Sequence, residues 1–261
     1  MKGKGGMKAE ITQVAQALAK GRRNIVFTGA GISTESGISD YRSKGGLWDK
    51  FRPVYFNEFM SSRQSRIEYW HQNAEMYPDL VKARPNPGHL SIFELYQMGR
   101  INTVITQNID GLHQESGLPE EAVIELHGNG RRVRCMSCGA LSSLDEAHRR
   151  IQAGDPAPEC ECGGYLKPDT ISFGQAMPVA AVEKATRLSS DCDVFIVVGS
   201  TLLVQPAALM PVYAKQNNAF LCIINLSETP CDKMCDVLIR DKAGSALVDI
   251  FEHVKAYDKG R

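Results

Sequence analysis

The sequence carries no excess charge of either sign, since 30 Lys and Arg residues balance 30 Asp and Glu residues. A chain without net charge has no global electrostatic attraction to nucleic acid or to an anionic membrane surface. The short basic run Arg131-Arg132-Val133-Arg134 is more typical of a solvated strand face than of a nucleic-acid site. We therefore predict neither a direct nucleic-acid partner nor a membrane partner.

Long hydrophobic runs are also missing, although apolar residues make up 43% of the chain. No stretch approaches the ~18 consecutive apolar residues that a membrane-spanning helix needs. Residues 1–6 lack the apolar segment of a secretory signal. The eight cysteines are too unevenly spread for the disulfide framework of a secreted protein. These absences predict a cytoplasmic protein in a reducing environment.

Short apolar segments alternate with amphipathic ones along most of the 261 residues. The apolar segments resemble buried strands, and the amphipathic ones repeat apolar residues with helical spacing. This alternation predicts an α/β fold with a parallel sheet, covered by helices on both faces, that binds ligands at the carboxyl ends of its strands. Strands are predicted at 24–28, 101–106, 123–126, 193–199, 220–225 and 237–240, and helices at 7–20, 88–98, 179–189, 206–216 and 245–256.

Two segments interrupt this alternation. Segment 44–84 is polar and aromatic, with one helix predicted around Trp70, and segment 131–170 holds four cysteines and little core-forming material. We predict that both are insertions that together form a smaller second lobe. The larger domain is then assigned to 1–43, 85–130 and 171–261.

The second insertion contains the pairs Cys135-x-x-Cys138 and Cys160-x-Cys162, each followed by a glycine. Four thiolates close a tetrahedral zinc site, and a small glycine-rich lobe has little other reason to fold. A full cysteine shell leaves no open position for a reacting water. The spacing therefore predicts one structural Zn²⁺ per chain, against the alternative of four unrelated free thiols.

A glycine loop, Gly29-Ala30-Gly31-Ile32-Ser33, directly follows the first predicted strand. Glycines there allow backbone N–H groups to approach a phosphate closely, and a following helix N-terminus adds a favourable dipole. The usual dinucleotide fingerprint has a third Gly or Ala where this chain has Thr34. The loop therefore indicates either an atypical nucleotide site or a tight turn.

Polar side chains follow several other predicted strands. Gln107-Asn108-Ile109-Asp110 could hydrogen-bond a carboxamide, a ribose or a water, or could cap the next helix. His127 ends the next strand, where it suits either a general base near neutral pH or a structural role. Small polar residues at two later strand ends suit phosphate and ribose contacts or plain turns; these are Gly199-Ser200-Thr201 and Asn225-Leu226-Ser227.

The order and spacing of these motifs match one family. The matching segments are 29–38, Asp40-Tyr41-Arg42-Ser43, Gln107-Asn108-Ile109-Asp110, His127-Gly128, the four cysteines, Lys167-Pro168-Asp169, Phe173-Gly174 and Gly199-Ser200-Thr201. From about residue 24 to residue 256 the chain resembles the sirtuins. The resemblance implies a Rossmann-like domain and a smaller lobe made of a zinc-binding module and a helical insertion, with NAD and an acyl-lysine protein or peptide meeting between them.

The same resemblance implies an NAD-dependent protein lysine deacylase that consumes its cofactor. The acyl oxygen attacks the nicotinamide ribose, nicotinamide leaves, and the acyl group is transferred to ADP-ribose, while the protein supplies orientation and a base. Some relatives instead transfer ADP-ribose to a protein side chain, and this is the alternative activity.

Site residues follow from the resemblance by position. His127 would be the base that activates a ribose hydroxyl, and Asn108 and Asp110 would order the nicotinamide end of the cofactor. The peptide would add as a strand along Phe173, Gly174, Leu202 and Val204. Further cofactor contacts are expected at Gly29, Ala30, Gly31, Ser33, Glu35, Asp40, Tyr41, Arg42, Gln107, Ile109, Gly199, Ser200, Thr201, Asn225, Leu226 and Ala243.

Departures from the family pattern concern the substrate groove. Ser172 and Gln175 stand where a tryptophan and a glutamate are common. The branch that prefers acidic acyl chains carries Tyr-x-x-Arg in the inserted helix, where this chain has Tyr69-x-x-Gln72. Without that arginine a succinyl carboxylate lacks its bidentate partner, so we predict a preference for neutral acyl groups.

Overall fold

The computed structural model describes residues 4–39 and 51–260, and its core is a six-stranded sheet of parallel strands. The strand order reverses between β1 (Asn24–Thr28) and β7 (Val194–Val198). The loops after these two strands therefore open a crevice at the carboxyl edge of the sheet. The order across the sheet is β3 (Val123–Glu125), β2 (Thr103–Thr106), β1 (Asn24–Thr28), β7 (Val194–Val198), β8 (Phe220–Ile224) and β9 (Val237–Ile239).

Helices cover both faces of this sheet because its strands direct alternate side chains into two apolar clusters. In β1, Val26 belongs to one cluster, and Ile25 and Phe27 belong to the other. The first cluster is covered by α1 (Lys4–Lys20), α4 (Pro87–Gln97) and α9 (Ala243–Lys259), and the second by α7 (Val179–Ser190) and α8 (Met210–Gln216). The predicted α/β fold with helices on both faces is confirmed.

The smaller lobe joins an antiparallel sheet to helices from both insertions. Trp70, in the helix α3 (Arg63–Lys82), is 1% exposed, and its Nε1 donates at 3.1 Å to the Leu166 carbonyl in the strand β6 (Leu166–Thr170). The Tyr77 ring stacks on His148 of α6 with 3.7 Å between centroids. One apolar core therefore holds together two insertions that are distant in sequence. The elements are α2 (Phe56–Ser61), α3 (Arg63–Lys82), β4 (Gly128–Cys135), β5 (Leu141–Ser143), α6 (Leu144–Gln152) and β6 (Leu166–Thr170), with the sheet order β5-β4-β6.

Some element bounds differ from the predicted ones. The described part of the first insertion, residues 51–84, holds the short helix α2 in addition to the predicted helix α3. The helix predicted at 206–216 begins as a 3₁₀ turn, Ala207–Leu209, before α8. Strand β4 begins at Gly128, so the small-lobe sheet starts before the predicted boundary at residue 131. The division of the chain into domains by residue number stays a prediction.

Candidate active site

The crevice beside β1 is lined by the glycine loop, which packs directly on the loop after β7. The Gly29 N–H donates to the Val198 carbonyl at 3.0 Å, and the Gly31 N–H donates to the Gly199 carbonyl at 2.8 Å. A Cβ on Gly31 would lie 2.7 Å from the Gly199 Cα. Glycine is required here by the close approach of two backbones, as the tight-turn interpretation predicts. In this structure both N–H groups are therefore bonded to backbone carbonyls.

Three buried polar residues, Ser33, Asn108 and Asp110, form a cluster beside this loop; none is more than 8% exposed. The Ser33 hydroxyl donates to Asp110 Oδ2 at 2.7 Å, and Asn108 Nδ2 donates to Ser33 Oγ at 3.1 Å and to the Gly29 carbonyl at 3.2 Å. Asp110 Oδ1 accepts from the Leu112 N–H at 2.9 Å. Asp110 therefore accepts from a free N–H group at the start of the next helix, as one interpretation predicts. It also bonds to Ser33 in the glycine loop, a contact that the sequence does not indicate.

His127 lies two residues after the end of β3, and its ring contacts the turn that contains Asn108. Its Nδ1 is 3.0 Å from the Gln107 carbonyl, and because a carbonyl only accepts, Nδ1 carries the proton. Nε2 therefore bears the lone pair, and no hydrogen bond to it is found within the described ranges. Burial lowers the pKa of His127, and the hydrogen bond to Gln107 partly opposes that shift. The imidazole is neutral and basic at Nε2 near pH 7.

The backbone around His127 leaves little freedom to the ring. The His127 carbonyl accepts from the Ile171 N–H at 3.0 Å. Gly128 has φ of 76°, and a Cβ there would lie 2.0 Å from the Asp169 carbonyl oxygen. Only glycine fits at this position, where the chain passes from the large sheet into β4. The backbone of His127 is thus fixed by main-chain contacts, and its ring is held by the Gln107 carbonyl.

Polar strand ends continue the crevice past β7 and β8. Gln107 Nε2 donates to Ser200 Oγ at 2.8 Å, and the same oxygen accepts from the Leu202 N–H at 3.2 Å. Asn225 Nδ2 donates to the Ser227 carbonyl at 2.9 Å. Leu226 is 68% exposed. The residues predicted for the adenosine side therefore line one edge of the sheet, and Gln107 links them to the His127 turn.

Glu35 caps the last helix. Its Oε2 accepts from the Gly244 N–H at 2.8 Å, in the first turn of α9, where a carboxylate also interacts favourably with the helix dipole. The predicted contact Ala243 is buried at the start of the same helix. The structure thus gives Glu35 a structural partner that the motif did not suggest. Asp40, Tyr41 and Arg42 lie outside the described residues.

The two segments predicted to flank the peptide are not extended in the structure. The first is a turn in which the Gln175 N–H donates to the Ser172 carbonyl at 3.0 Å, and the second is the loop after β7. The Phe173 ring is 43% exposed and lies 5.9 Å from the Tyr55 ring, and the Phe173 carbonyl accepts from the Phe56 N–H at 2.9 Å. In the second segment, the loop after β7, Leu202 is 3% exposed with φ of 54°, whereas its neighbour Leu203 is 59% exposed. Of the two, Leu203 offers its side chain to the surface, and no sequence pattern distinguished it from Leu202.

The four cysteine sulfurs of the small lobe converge on one point. All four lie within 4.8 Å of one another, with 3.5 Å between Cys135 and Cys162 and 3.8 Å between Cys138 and Cys160. A tetrahedral zinc with Zn–S bonds of about 2.3 Å places its sulfurs about 3.8 Å apart, so the site fits this metal. Gly139 and Gly163 close the two turns with φ of 75° and 82°.

Comparison with known proteins identifies many relatives. The sequence model of the Sir2 family matches residues 29–206. The NAD-dependent protein deacetylase 1 of Bradyrhizobium diazoefficiens is 44% identical over 242 residues, covering 92% of this chain and 95% of that protein. The crystal structure of a Sir2 homolog–NAD complex superposes with a TM-score of 0.85 at 34% identity, covering 94% of each chain. A Sir2 variant solved with deacetylated p53 peptide and 3'-O-acetyl ADP-ribose gives a TM-score of 0.84 at 32% identity, covering 95% of this chain and 98% of that one.

Proposed function

Because the chain belongs to the Sir2 family, we propose that its crevice carries out lysine deacylation with His127 as the general base. The protein is an NAD-dependent protein lysine deacylase: it transfers the acyl group of an acyl-lysine to ADP-ribose and releases nicotinamide. The observation that carries the assignment of the base is the His127–Gln107 hydrogen bond, which places the proton on Nδ1 and leaves the lone pair on Nε2.

His127 has the protonation state that a base requires. Its lowered pKa keeps the ring neutral at physiological pH, and the fixed Nδ1–H tautomer leaves only Nε2 to accept a proton. NAD, when bound, supplies the electrophilic ribose carbon and the nicotinamide leaving group. His127 then accepts the proton of a ribose hydroxyl, which makes that hydroxyl a better nucleophile toward the transferring acyl group.

Asn108 and Asp110 order the nicotinamide end of the cofactor. Both side chains are buried at the carboxyl edge of β2, and their bonds to Ser33 couple them to the loop that follows β1. Amide and carboxylate groups in that position suit a carboxamide partner. The remaining cofactor contacts are Gly29, Ala30, Gly31, Glu35, Gln107, Ile109, Gly199, Ser200, Thr201, Asn225, Leu226 and Ala243, together with Asp40, Tyr41 and Arg42, for which the sequence alone is the support.

The acyl-lysine peptide lies between Phe173-Gly174 and Leu202–Val204 and pairs with their backbones, which gives affinity with little sequence preference. Neutral acyl chains are preferred, and activity on succinyl-lysine is weak. Gln72 donates to the Arg52 carbonyl at 3.0 Å, and the nearby Lys167 ammonium is fully buried and donates to the carbonyls of Pro168 and Thr170. Neither side chain presents the bidentate donor pair that a succinyl carboxylate needs.

The structural zinc is held by Cys135, Cys138, Cys160 and Cys162. With four protein thiolates the metal has no open position, so it stabilises the small lobe and takes no part in the chemistry. Val133, Leu144 and Leu166 form the apolar cluster that packs beside Cys135. Metal binding and folding of this lobe are therefore coupled.

A cytoplasmic location, without nucleic-acid or membrane partners, is part of the same proposal. Its supports are the balanced charge of the chain and four reduced thiolates in the zinc site. Within the described part of the chain no helix is both long and apolar enough to span a bilayer.

The activity is tested by incubating the protein with an acetylated peptide and NAD, followed by mass spectrometry of every product. Deacylation yields nicotinamide, free lysine and acetyl-ADP-ribose in equal amounts. ADP-ribose attached to protein, with the acetyl group still on the peptide, would support the alternative transferase activity instead. His127→Ala, assayed in parallel, tests the base: unchanged product formation would remove His127 from the mechanism.

A further inference from the structure

The turn that contains Asn108 and Asp110 is supported from behind by the first residues of β4. The Gly130 N–H donates to the Ile109 carbonyl at 2.7 Å, and Arg131 Nε donates to the Asp110 carbonyl at 2.6 Å. The Arg131 stem also covers Gly111, where an added Cβ would lie 3.1 Å from the arginine Cδ. Two consecutive carbonyls of the turn are therefore held by one small-lobe strand.

Arg131 reaches two further elements around this turn. Its Nη2 lies 3.2 Å from the Leu80 carbonyl in α3 and 2.9 Å from Glu115 in the short helix α5 (Leu112–Glu115). The side chain is 33% exposed, so its charge is only partly screened. One guanidinium thus joins β4 to the Leu80 carbonyl of α3, the Asp110 carbonyl and the Glu115 carboxylate of α5.

We propose that Arg131 is a positioning residue for the NAD-dependent reaction, and that it holds the Asp110 backbone so that the carboxylate stays in place at the nicotinamide end. This inference rests on the proposed role of Asp110. On the crevice side Asp110 is bonded by Ser33 and Leu112, and on the opposite side by Arg131. Without Arg131 the Asp110 carbonyl loses its bonded donor, and the peptide that carries the carboxylate is free to rotate.

The chain provides a matched control in the next residue. Arg132 lies on the same strand and is also partly exposed, but it pairs with Glu125 of β3 at 2.7 Å instead of reaching the turn. Arg131→Met and Arg132→Met remove the same donors from neighbouring positions. Both weaken contacts between the lobes, but only the first removes support from Asp110.

The experiment compares steady-state kinetics of the zinc-loaded wild type and the two variants with an acetylated peptide. We expect Arg131→Met to lower kcat/KM for NAD by about 10–100-fold, the scale of a displaced positioning group, and to raise the nicotinamide concentration needed for half-inhibition. KM for the peptide should stay near its wild-type value. Arg132→Met should match the wild type in both NAD and nicotinamide responses.

Equal responses of the two methionine variants would overturn the proposal, because they would assign Arg131 a general role between the lobes. Zinc content and thermal melting are measured for each protein. If Arg131→Met does not fold, Arg131→Lys is assayed instead, because it keeps the charge but loses the fork of donors. A raised nicotinamide concentration for half-inhibition would then support the proposal. An unchanged concentration would contradict it. A wild type without deacylase activity would instead contradict the proposed function.

Discussion

Acid should destabilise the folded protein through His89, a histidine of α4 that has no exposed surface. Its Nε2 has no hydrogen-bond partner among the described residues, and its ring lies 5.0 Å from that of His113. Burial lowers the pKa of His89 to about 4, and the charge of Asp110 only partly opposes this shift. His89 therefore stays neutral in the folded state at pH values where it is protonated in the unfolded chain.

The sign and size of the effect follow from proton linkage. Above about pH 6.5 neither the folded nor the unfolded state binds the proton, so His89 does not change the free energy of unfolding. As the pH falls from 6.5 toward 4, the unfolded chain gains a proton that the folded one does not, and stability decreases. With a folded-state pKa of about 4, the free energy of unfolding decreases by about 2 kcal/mol between pH 7.5 and pH 5.

The assay compares urea unfolding of the zinc-loaded wild type and His89→Asn at pH 7.5 and pH 5. Asparagine cannot titrate, and its side-chain oxygen can accept from the Asn86 N–H as His89 Nδ1 does. Other histidines and the zinc site are common to both proteins, so their contributions cancel in the comparison. Between pH 7.5 and pH 5 the free energy of unfolding should fall by about 2 kcal/mol more in the wild type than in the variant. This corresponds to a difference of roughly 4–8 °C in Tm. An equal loss in both proteins would refute the assignment of a buried, neutral His89.

Four further outcomes are expected. His127→Ala should slow turnover by about 10²-fold or more while calorimetry finds NAD affinity retained; a small kinetic effect would argue against a base at this position. Since burial lowers the pKa of His127, kcat/KM of the wild type should stay level as the pH falls to 6.5 and decline only below it, and a decline that starts above pH 6.5 would contradict the neutral ring. Cys135→Ser or Cys160→Ser should lose the bound zinc, measured by metal analysis, and unfold the small lobe, so soluble, zinc-free and active protein would refute the structural role. A succinylated peptide should react more slowly than an acetylated one in a mass-spectrometric time course, and equal rates would overturn the acyl preference.

The large sheet could be predicted from the sequence because its central strands are apolar on both faces. The segment Val194–Val198 is buried at every position, which is typical of a strand covered by helices on either side. Of strand β4, the sequence indicates only the part at Arg131–Arg134, as a solvated strand face. Its sequence alternates arginine with small and apolar residues, and its position depends on pairing with the distant strand β6 and on the cysteine site.

The contacts behind the candidate site show a second limit. Arg131 and Arg134 belong to a run that was interpreted as a solvated strand face, yet Arg131 holds the Asp110 carbonyl and Arg134 forms two bonds to Asp169. Partners separated by tens of residues leave no periodic signal in a single sequence. The candidate site residues can be predicted from motifs, whereas the residues that contact them from behind can be identified only in the three-dimensional structure.

The bond between Glu35 and Gly244 has a consequence for synthesis on the ribosome, because its two ends are separated by 209 positions of the chain. The loop after β1 leaves the ribosome well before α9, whose Gly244 N–H donates to the Glu35 carboxylate. The nascent polypeptide therefore cannot form this bond until α9 has been made. A ribosome-bound fragment that stops before α9 should not consume NAD, which would protect the cellular pool from half-made enzyme.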